Sequence, residues 1–312
     1  MHFTLQQLRL LEAVSRHGSY TRAANELHLT QPAVSIQMKR LEVQLDLQLF
    51  EMVGKKILLT TAGREVYQAA QDILLRVDQL KNSLDRVKGQ VQGPIQISVV
   101  TTAKYFMPHL LGQFLHHYPA VEPILKFTNR AKVIERLLNH EDDFVIMGQI
   151  PDDARLESYP FLNNVLGVVA PPDHPLANES SIPLKRLVQE RFLTREIGSG
   201  TRYVFDQLLE KQKLIIDPYM ELGSGEALKQ GVMAGLGIAV LSLHSVQLER
   251  ETDNMVVLDV EGFPLIRRWY AVHLKGIHLS LAAQTFLDFM LEEGEKEPYR
   301  FLTQCDLTPD RN

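Results

Sequence analysis

Cysteine is nearly missing from this chain of 312 residues: Cys305 is the single one. One thiol builds neither a disulfide framework nor a cysteine-based metal site, so the expected compartment is the cytoplasm. Also missing is an apolar run near the ~18 residues that a membrane span needs. The start, Met1-His2-Phe3-Thr4-Leu5, has no basic stretch leading into an apolar one and does not read as a signal peptide. Internal repeats and low-complexity tracts are lacking, and only the last dozen residues read as disordered. So are the common catalytic signatures: there is no Gly-x-Ser-x-Gly elbow, no His-Glu-x-x-His, no phosphate-binding P-loop and no cysteine nucleophile. The eleven histidines, His109, His116 and His117 among them, lack a carboxylate or cysteine partner at ligand spacing and read as structural. Asp142-Asp143 precedes a strand and reads as a solvated turn. Neither an enzyme nor a metal protein is expected, and no cofactor.

What is present is ordinary in bulk and uneven in detail. Hydrophobic residues make up 45% and charged ones 23%, as in a soluble globular protein. The net charge of −5 argues at first against a nucleic-acid partner. Its distribution argues otherwise: residues 1–64 hold eight Lys/Arg against five Asp/Glu, a net of +3, which leaves −8 for the remainder. An acidic body repels DNA, so a DNA contact has to be confined to the front of the chain.

That front reads as short helices. Thr4 caps a first helix with Leu5, Leu8, Leu11 and Val14 on one side, and Gly18-Ser19 ends it. A second helix turns Ala23, Ala24 and Leu27 inward. After a tight His28-Leu29 turn, Thr30 caps a third helix with Pro32 in its first turn and Val34, Met38, Leu41 and Leu45 inward. Two helices joined by so short a turn make a helix-turn-helix. Val53–Thr60 then reads as two short strands around Gly54-Lys55-Lys56, a wing. From Val66 to Val87 the residues Val66, Ala70, Ile73, Val77, Leu80, Leu84 and Val87 recur at alternating spacings of four and three. A helix of about 27 residues, roughly 40 Å long, carries this stripe, and its narrowness suits pairing with a second chain. The weaker alternative is packing on its own domain.

Gly89, Gly93 and Pro94 mark a hinge. Beyond it helices and strands alternate: strand 95–100, helix 104–118, strand 121–128, helix 131–139 and strand 144–147. Strands near 165–170, 192–195, 219–222, 238–242 and 255–258 follow, then Trp269–Leu274 and a closing helix over 279–292. Alternation means an α/β body with a largely parallel sheet. The expected organisation is a winged helix-turn-helix over 1–61, a dimerisation helix over 62–90, and a two-lobed ligand domain over 91–312. Its first lobe takes 91–161 and 267–300, its second 162–266, with a cleft between them.

Residues 1–64 resemble the LysR-type transcriptional regulators. The resemblance is carried by Leu8-Arg9-x-Leu11, Gly18-Ser19-Tyr20-Thr21-Arg22-Ala23-Ala24 and Leu27, and by Leu29-Thr30-Gln31-Pro32-Ala33-Val34-Ser35-x-Gln37-Met38-x-x-Leu41-Glu42. Leu49-Phe50-Glu51, the Gly54-Lys55-Lys56 wing and Leu59-Thr60-Thr61-Ala62-Gly63 complete it. Met52 departs from the pattern, which usually has a polar residue there. Over the rest of the chain the likeness is looser. It implies an effector domain like the type 2 periplasmic binding proteins, a dimer of dimers, interrupted palindromic targets of T…A type and contact with RNA polymerase. Pro171-Pro172-Asp173-His174-Pro175-Leu176 and the segment Arg195–Arg202 resemble the branch that controls carbon-fixation genes (CbbR/CmpR-like), whose members activate transcription in response to sugar phosphates and related metabolites. Regulators of aromatic or amino-acid pathways share the frame and stay as the alternative; a cytoplasmic solute-binding protein is a remoter one.

The DNA-facing set expected from these residues is Thr21, Arg22, Thr30, Gln31, Pro32, Ser35, Gln37, Lys39, Arg40, Lys55 and Lys56. Gln31 can pair bidentately with adenine and Pro32 can touch a thymine methyl. Thr30, Ser35 and the helix N-terminus suit phosphates, which the basic residues neutralise. In the body, three segments enter helices from strand ends: Val100-Thr101-Thr102-Ala103-Lys104, Phe127-Thr128-Asn129-Arg130 and Arg195–Arg202. Hydroxyls and free N–H groups there suit an anion, and two arginines can grip phosphate or carboxylate. The expected effector set is Thr101, Thr102, Lys104, Thr128, Asn129, Arg195, Ser199, Gly200, Thr201, Arg202 and Ser224, for a small, phosphorylated effector.

Overall fold

A computed structural model of the chain describes residues 3–54 and 56–294. Lys55, Cys305 and the end of the expected first lobe, 295–300, lie outside the described residues, as does the tail expected to be disordered. The chain forms two compact units, 1–87 and 88–312.

The first unit contains α1 (Leu5–His17), α2 (Tyr20–Glu26), α3 (Gln31–Leu45), β1 (Phe50–Val53), β2 (Lys56–Leu59) and α4 (Thr61–Lys88). Its helix ends are written in the local sequence. Thr4 and Gln7 form a capping box, each side chain bonding the other's backbone N–H. Gly18 closes α1 in the left-handed region at φ 58°, a conformation that costs a residue with a Cβ. Ser19 caps α2 and Thr30 caps α3, with Pro32 in the first turn where no N–H is needed. Leu8, Leu10, Leu11 and Val14 of α1 bury against Ala23 and Ala24 of α2 and Val34, Met38 and Leu41 of α3. At Gly63, in the first turn of α4, a Cβ would stand 2.0 Å from the carbonyl oxygen of Leu49. Only glycine lets α4 leave the wing at that angle.

The α4 stripe divides. Ala70 is buried, and Val66 and Leu74 pack against the core of the same unit. The expectation that the whole stripe waits for a second chain is therefore corrected: its first turns close the unit's own core. Further along, Leu80 and Leu84 remain 63% and 54% exposed.

The second unit has β3 (Gly93–Val100), α5 (Met107–His117), β4 (Val121–Thr128), α6 (Arg130–Leu138), β5 (Phe144–Met147) and β6 (Leu156–Ala170). There follow α7 (Leu184–Leu187), β7 (Phe192–Arg195), α8 (Gly200–Lys211), β8 (Met220–Leu222), α9 (Gly225–Met233) and β9 (Ile238–Ser242). It closes with α10 (Gln247–Glu251), β10 (Val256–Val257), β11 (Leu265–Leu274) and α11 (Leu281–Glu293). A 3-10 turn, Thr101–Tyr105, separates β3 from α5 where one helix from 104 was expected. The strand order is β4-β3-β5-β11-β6-β9-β7-β8, with β10 on β6.

Parallel pairing holds at the two wings, β4-β3-β5 and β9-β7-β8. The centre is antiparallel: β11 runs against β5 and β6, and β6 against β9. This corrects the expected largely parallel sheet. The two central strands also reach further than expected, β6 starting at 156 and β11 at 265. Pro160 hid the first half of β6. It is tolerated because β6 there pairs only with β11, and the register slips between Trp269 and Tyr270 opposite it. Apolar clusters form around each wing, one under α5 and α11, the other under α7 and α8. Asp142 is not in a solvated turn. It is buried and held bidentately by Arg136, at 3.0 and 2.8 Å, while Asp143 accepts from the Gln96 N–H at 2.7 Å.

Candidate functional site

In the first unit the solvent face of α2 and α3 gathers much of the expected DNA-facing set. Thr21, Arg22, Thr30, Gln31, Pro32, Lys39 and Arg40 are exposed, and Ser35 and Gln37 half-buried. Two of the basic residues have internal engagements. Arg22 donates to the His17 carbonyl at 2.6 Å, closing the end of α1, and Lys39 lies 3.4 Å from Glu42. Glu42 in turn accepts from the Leu49 N–H at 2.9 Å and so ties α3 to the wing. Lys56 begins β2, paired with Val53; Lys55 lies outside the described residues. Met52, the departure from the pattern, points to solvent on β1 and leaves the wing pairing intact. His17 does have a carboxylate partner, Glu26 at 2.5 Å, which corrects the expectation for the histidines.

In the second unit the carboxyl ends of β3 and β7 meet at an open cleft. Thr101, Thr102, Asn129, Arg195, Ser199, Gly200 and Thr201 line it, as expected. Lys104, Thr128, Arg202 and Ser224 do not. Lys104 pairs with Glu226 at 3.6 Å, and Ser224 caps α9 by accepting from the Ala227 N–H at 3.0 Å. Arg202 is spent within its own lobe: it donates to the Arg195 carbonyl at 2.9 Å and pairs with Glu221 and Asp206. Thr128 ends β4 beside the wall without joining it.

The cleft also has walls outside the expected effector set: Arg130, which ends the segment Phe127–Arg130, and Gln149, Asn164, Arg267 and Trp269, which local sequence did not announce. Gly148 lies where a Cβ would come within 3.0 Å of the Asn164 amide. The lining holds three arginines and no carboxylate. Arg195, 5% exposed, is already gripped by Glu196 at 2.7 and 2.8 Å. Arg130 spends one N–H on the Gln149 carbonyl at 3.2 Å, and burial draws its pKa below the usual arginine value, with the charge of Tyr203 opposing. Arg267 has no side-chain hydrogen bond or ion pair to any other described residue. Two further polar atoms of the wall, Gln149 Oε1 and Trp269 Nε1, are buried without a partner among the described residues. The Ser199 hydroxyl makes no cap bond at the start of α8, whose first N–H groups open on the same space. Positive charge, the Trp269 N–H donor and a helix N-terminus belong to one cavity wall, which is chemistry for an anion, while the Gln149 Oε1 atom is an acceptor.

Above it, Tyr105 donates to Glu226 at 2.9 Å, tying the turn after β3 to α9. Burial raises the Glu226 pKa, but bonds from Tyr105, Gln230 and Lys229 outweigh it and bring the carboxyl to about 2. Lys229 is buried and also holds Glu249 at 2.7 Å. His244 bonds the Asn163 carbonyl at 2.7 Å, and burial lowers its pKa; its role is structural.

The sequence matches two family descriptions. "Bacterial regulatory helix-turn-helix protein, lysR family" covers 5–64 and "LysR substrate binding domain" covers 88–295. A RuBisCO operon transcriptional regulator of Allochromatium vinosum is 44% identical over 296 residues, 95% of this chain and 98% of that protein. The HTH-type transcriptional activator CmpR of Synechocystis is 43% identical over 292 residues, 94% and 96%. Among solved structures, the Synechocystis CcmR regulatory domain in complex with 2-PG is 43% identical, with a TM-score of 0.63, over 66% of this chain and 99% of that one. A full-length OxyR of Pseudomonas aeruginosa, 23% identical, has a TM-score of 0.75 over 94% of both chains and supports the fold.

Proposed function

The chain belongs to the LysR family of bacterial transcriptional regulators, and from that premise we propose that it controls carbon-fixation genes in response to a small phosphorylated anion. The comparisons favour the carbon-fixation reading over aromatic or amino-acid pathways and over a solute-binding protein: the relative at 44% identity is named a RuBisCO operon transcriptional regulator. The regulator works without catalysis, in the cytoplasm, and activates as CmpR is named to do. α3 enters the major groove with Gln31 and Pro32 at its leading end, and a dimer presents two such helices to an interrupted inverted repeat. Pairing of dimers into a tetramer and contact with RNA polymerase complete the reading.

One observation carries the effector assignment. Within a body of net −8, the cleft wall holds three arginines, no carboxylate and an Arg267 without a side-chain partner among the described residues. Arg130 and Arg267 are half-buried, and cations drawn partly out of water without a carboxylate partner are stabilised when an anion joins them. The relative whose regulatory domain holds 2-PG supports the same ligand class. On this reading the grip falls to Arg130 and Arg267, with the Ser199 hydroxyl and the first turn of α8 beside them, while Arg195 is already paired with Glu196.

The test is a titration of the protein on DNA upstream of RuBisCO and carbon-uptake operons, at two salt concentrations, with and without 2-PG and ribulose 1,5-bisphosphate. Specific, salt-sensitive binding that shifts with one of these compounds is the expected result. Specific binding indifferent to every phosphorylated compound tried would remove the effector class, and binding without preference for those promoters would remove the carbon-fixation assignment.

A further inference from the structure

The third helix of the DNA-binding unit carries an apolar side chain that its own fold does not use. Val34, Met38 and Leu41 of α3 are buried, and they set the direction of the core. Ile36 is 53% exposed and takes no part in that core. At about 100° per residue it stands roughly 170° from the centre of the buried stripe, at the middle of the solvent face. Around it are Pro32 one turn before and Lys39 and Arg40 one turn after, all exposed. An isoleucine at such a place weakens helix propensity slightly and leaves apolar surface in water; a lysine or glutamine would serve the isolated unit better.

We propose that Ile36 is a specificity residue, whose side chain packs on the 5-methyl group of a thymine in the major groove. This rests on the reading of α3 as the helix that enters that groove. The thymine methyl is the one apolar feature that the groove edge presents, and it separates T·A from the other pairs without a hydrogen bond. The placement fits. Base contacts come from the leading residues of a recognition helix, and Ile36 is the sixth residue of α3, about 7.5 Å along its axis. Val43 shares the direction but lies two turns deeper, past the reach of base edges. Lys39 and Arg40 flank the patch with charge for the phosphates on either side, so the apolar contact is bracketed by electrostatic ones. Pro32 and Ile36, at i and i+4, form a short apolar strip suited to neighbouring methyls.

The experiment uses the full-length protein and a target half-site located by footprinting. Each thymine in turn is replaced by deoxyuridine, which removes the methyl and leaves every hydrogen-bonding group. At one thymine per half-site the unaltered protein should bind about fourfold more weakly, the loss expected for about one buried methyl. Ile36→Ala should bind the thymine site about fourfold more weakly and be indifferent to deoxyuridine at that position, while Ile36→Val keeps the sensitivity. Because Ile36 is outside the core, the unfolding midpoint of both variants should match that of the parent, which separates lost contact from lost fold. Retention of the deoxyuridine effect in Ile36→Ala overturns the assignment, as does its disappearance in Pro32→Ala alone, which would give the methyl to Pro32. Indifference of the parent at every thymine also overturns it. No protected sequence at all would overturn the groove-entering reading of α3 itself.

Discussion

An arginine is informative here less by its presence than by what else holds it. Arg195 and Arg202 stand in the most conspicuous turn of the sequence, and acids already hold both: Glu196 the first, Glu221 and Asp206 the second. Arg130, at the end of the segment Phe127–Arg130, and Arg267, in an unremarkable stretch, line the cleft with hydrogen-bonding capacity left. A charge-assisted hydrogen bond contributes about 1.5–3 kcal/mol, so Arg267→Ala should weaken effector binding by tenfold or more. DNA affinity in the absence of effector should be unchanged. Trp269, the one tryptophan, lines the same cleft, and its fluorescence gives the binding curve directly. Arg202→Ala, by contrast, should lower the unfolding midpoint and leave the affinity within about threefold, because its partners are Glu221 and Asp206 rather than the ligand. Equal affinity losses in the two variants would count against this division. The charged residues of the Arg195–Arg202 turn were legible from the sequence; which of them is already neutralised was not, because Glu196 and Glu221 reach them through folded geometry.

At the scale of the element, α4 shows one stripe serving two purposes. Its first turns complete the core of the DNA-binding unit through Val66, Ala70 and Leu74. Leu80 and Leu84 continue the stripe into solvent, and seven-residue periodicity on an exposed face is what a second helix of the same kind covers. Leu80→Asp combined with Leu84→Asp should abolish dimerisation, read as a halved mass in light scattering at micromolar protein. The helix-turn-helix should keep its fold, since neither side chain belongs to its core. An unchanged mass would place the dimer contact elsewhere. The periodicity was readable without coordinates; the division between self-packing and partner-facing turns was not. The central strands show the converse. Pro160 and the polar pair Asn163-Asn164 disguise the first part of β6, and its strand character comes from pairing with β11, which lies more than a hundred residues away.

For the whole molecule, charge is divided between a basic front and an acidic body, and this division sorts the partners. DNA affinity should fall steeply and log-linearly with salt, and Lys55→Ala should reduce that slope by about one. Effector binding, at half-buried arginines, should depend on ionic strength far less. A slope unaltered by Lys55→Ala would place the wing away from the phosphates.

What the sequence by itself determined is whatever depends on neighbours along the chain. The caps at Thr4, Ser19 and Thr30, the turn at Gly18, the spacing of Leu8, Leu11 and Val14, and the Thr30–Glu42 pattern are local, and they define the DNA-binding unit and its family. The alternating strands and helices of the body are local too, and the two loop ends at Thr101-Thr102 and Ser199-Gly200-Thr201 were placed by them. What only the tertiary structure decided is what distant segments do together. The antiparallel centre of the sheet, the burial of Asp142 against Arg136 and the convergence of Arg130, Trp269 and Arg267 on one cleft have no signature in any short window. A side chain's environment, its exposure and the charges around it, is a property of the folded surface, and it is this that turns an arginine into a ligand for an anion or a partner for a glutamate.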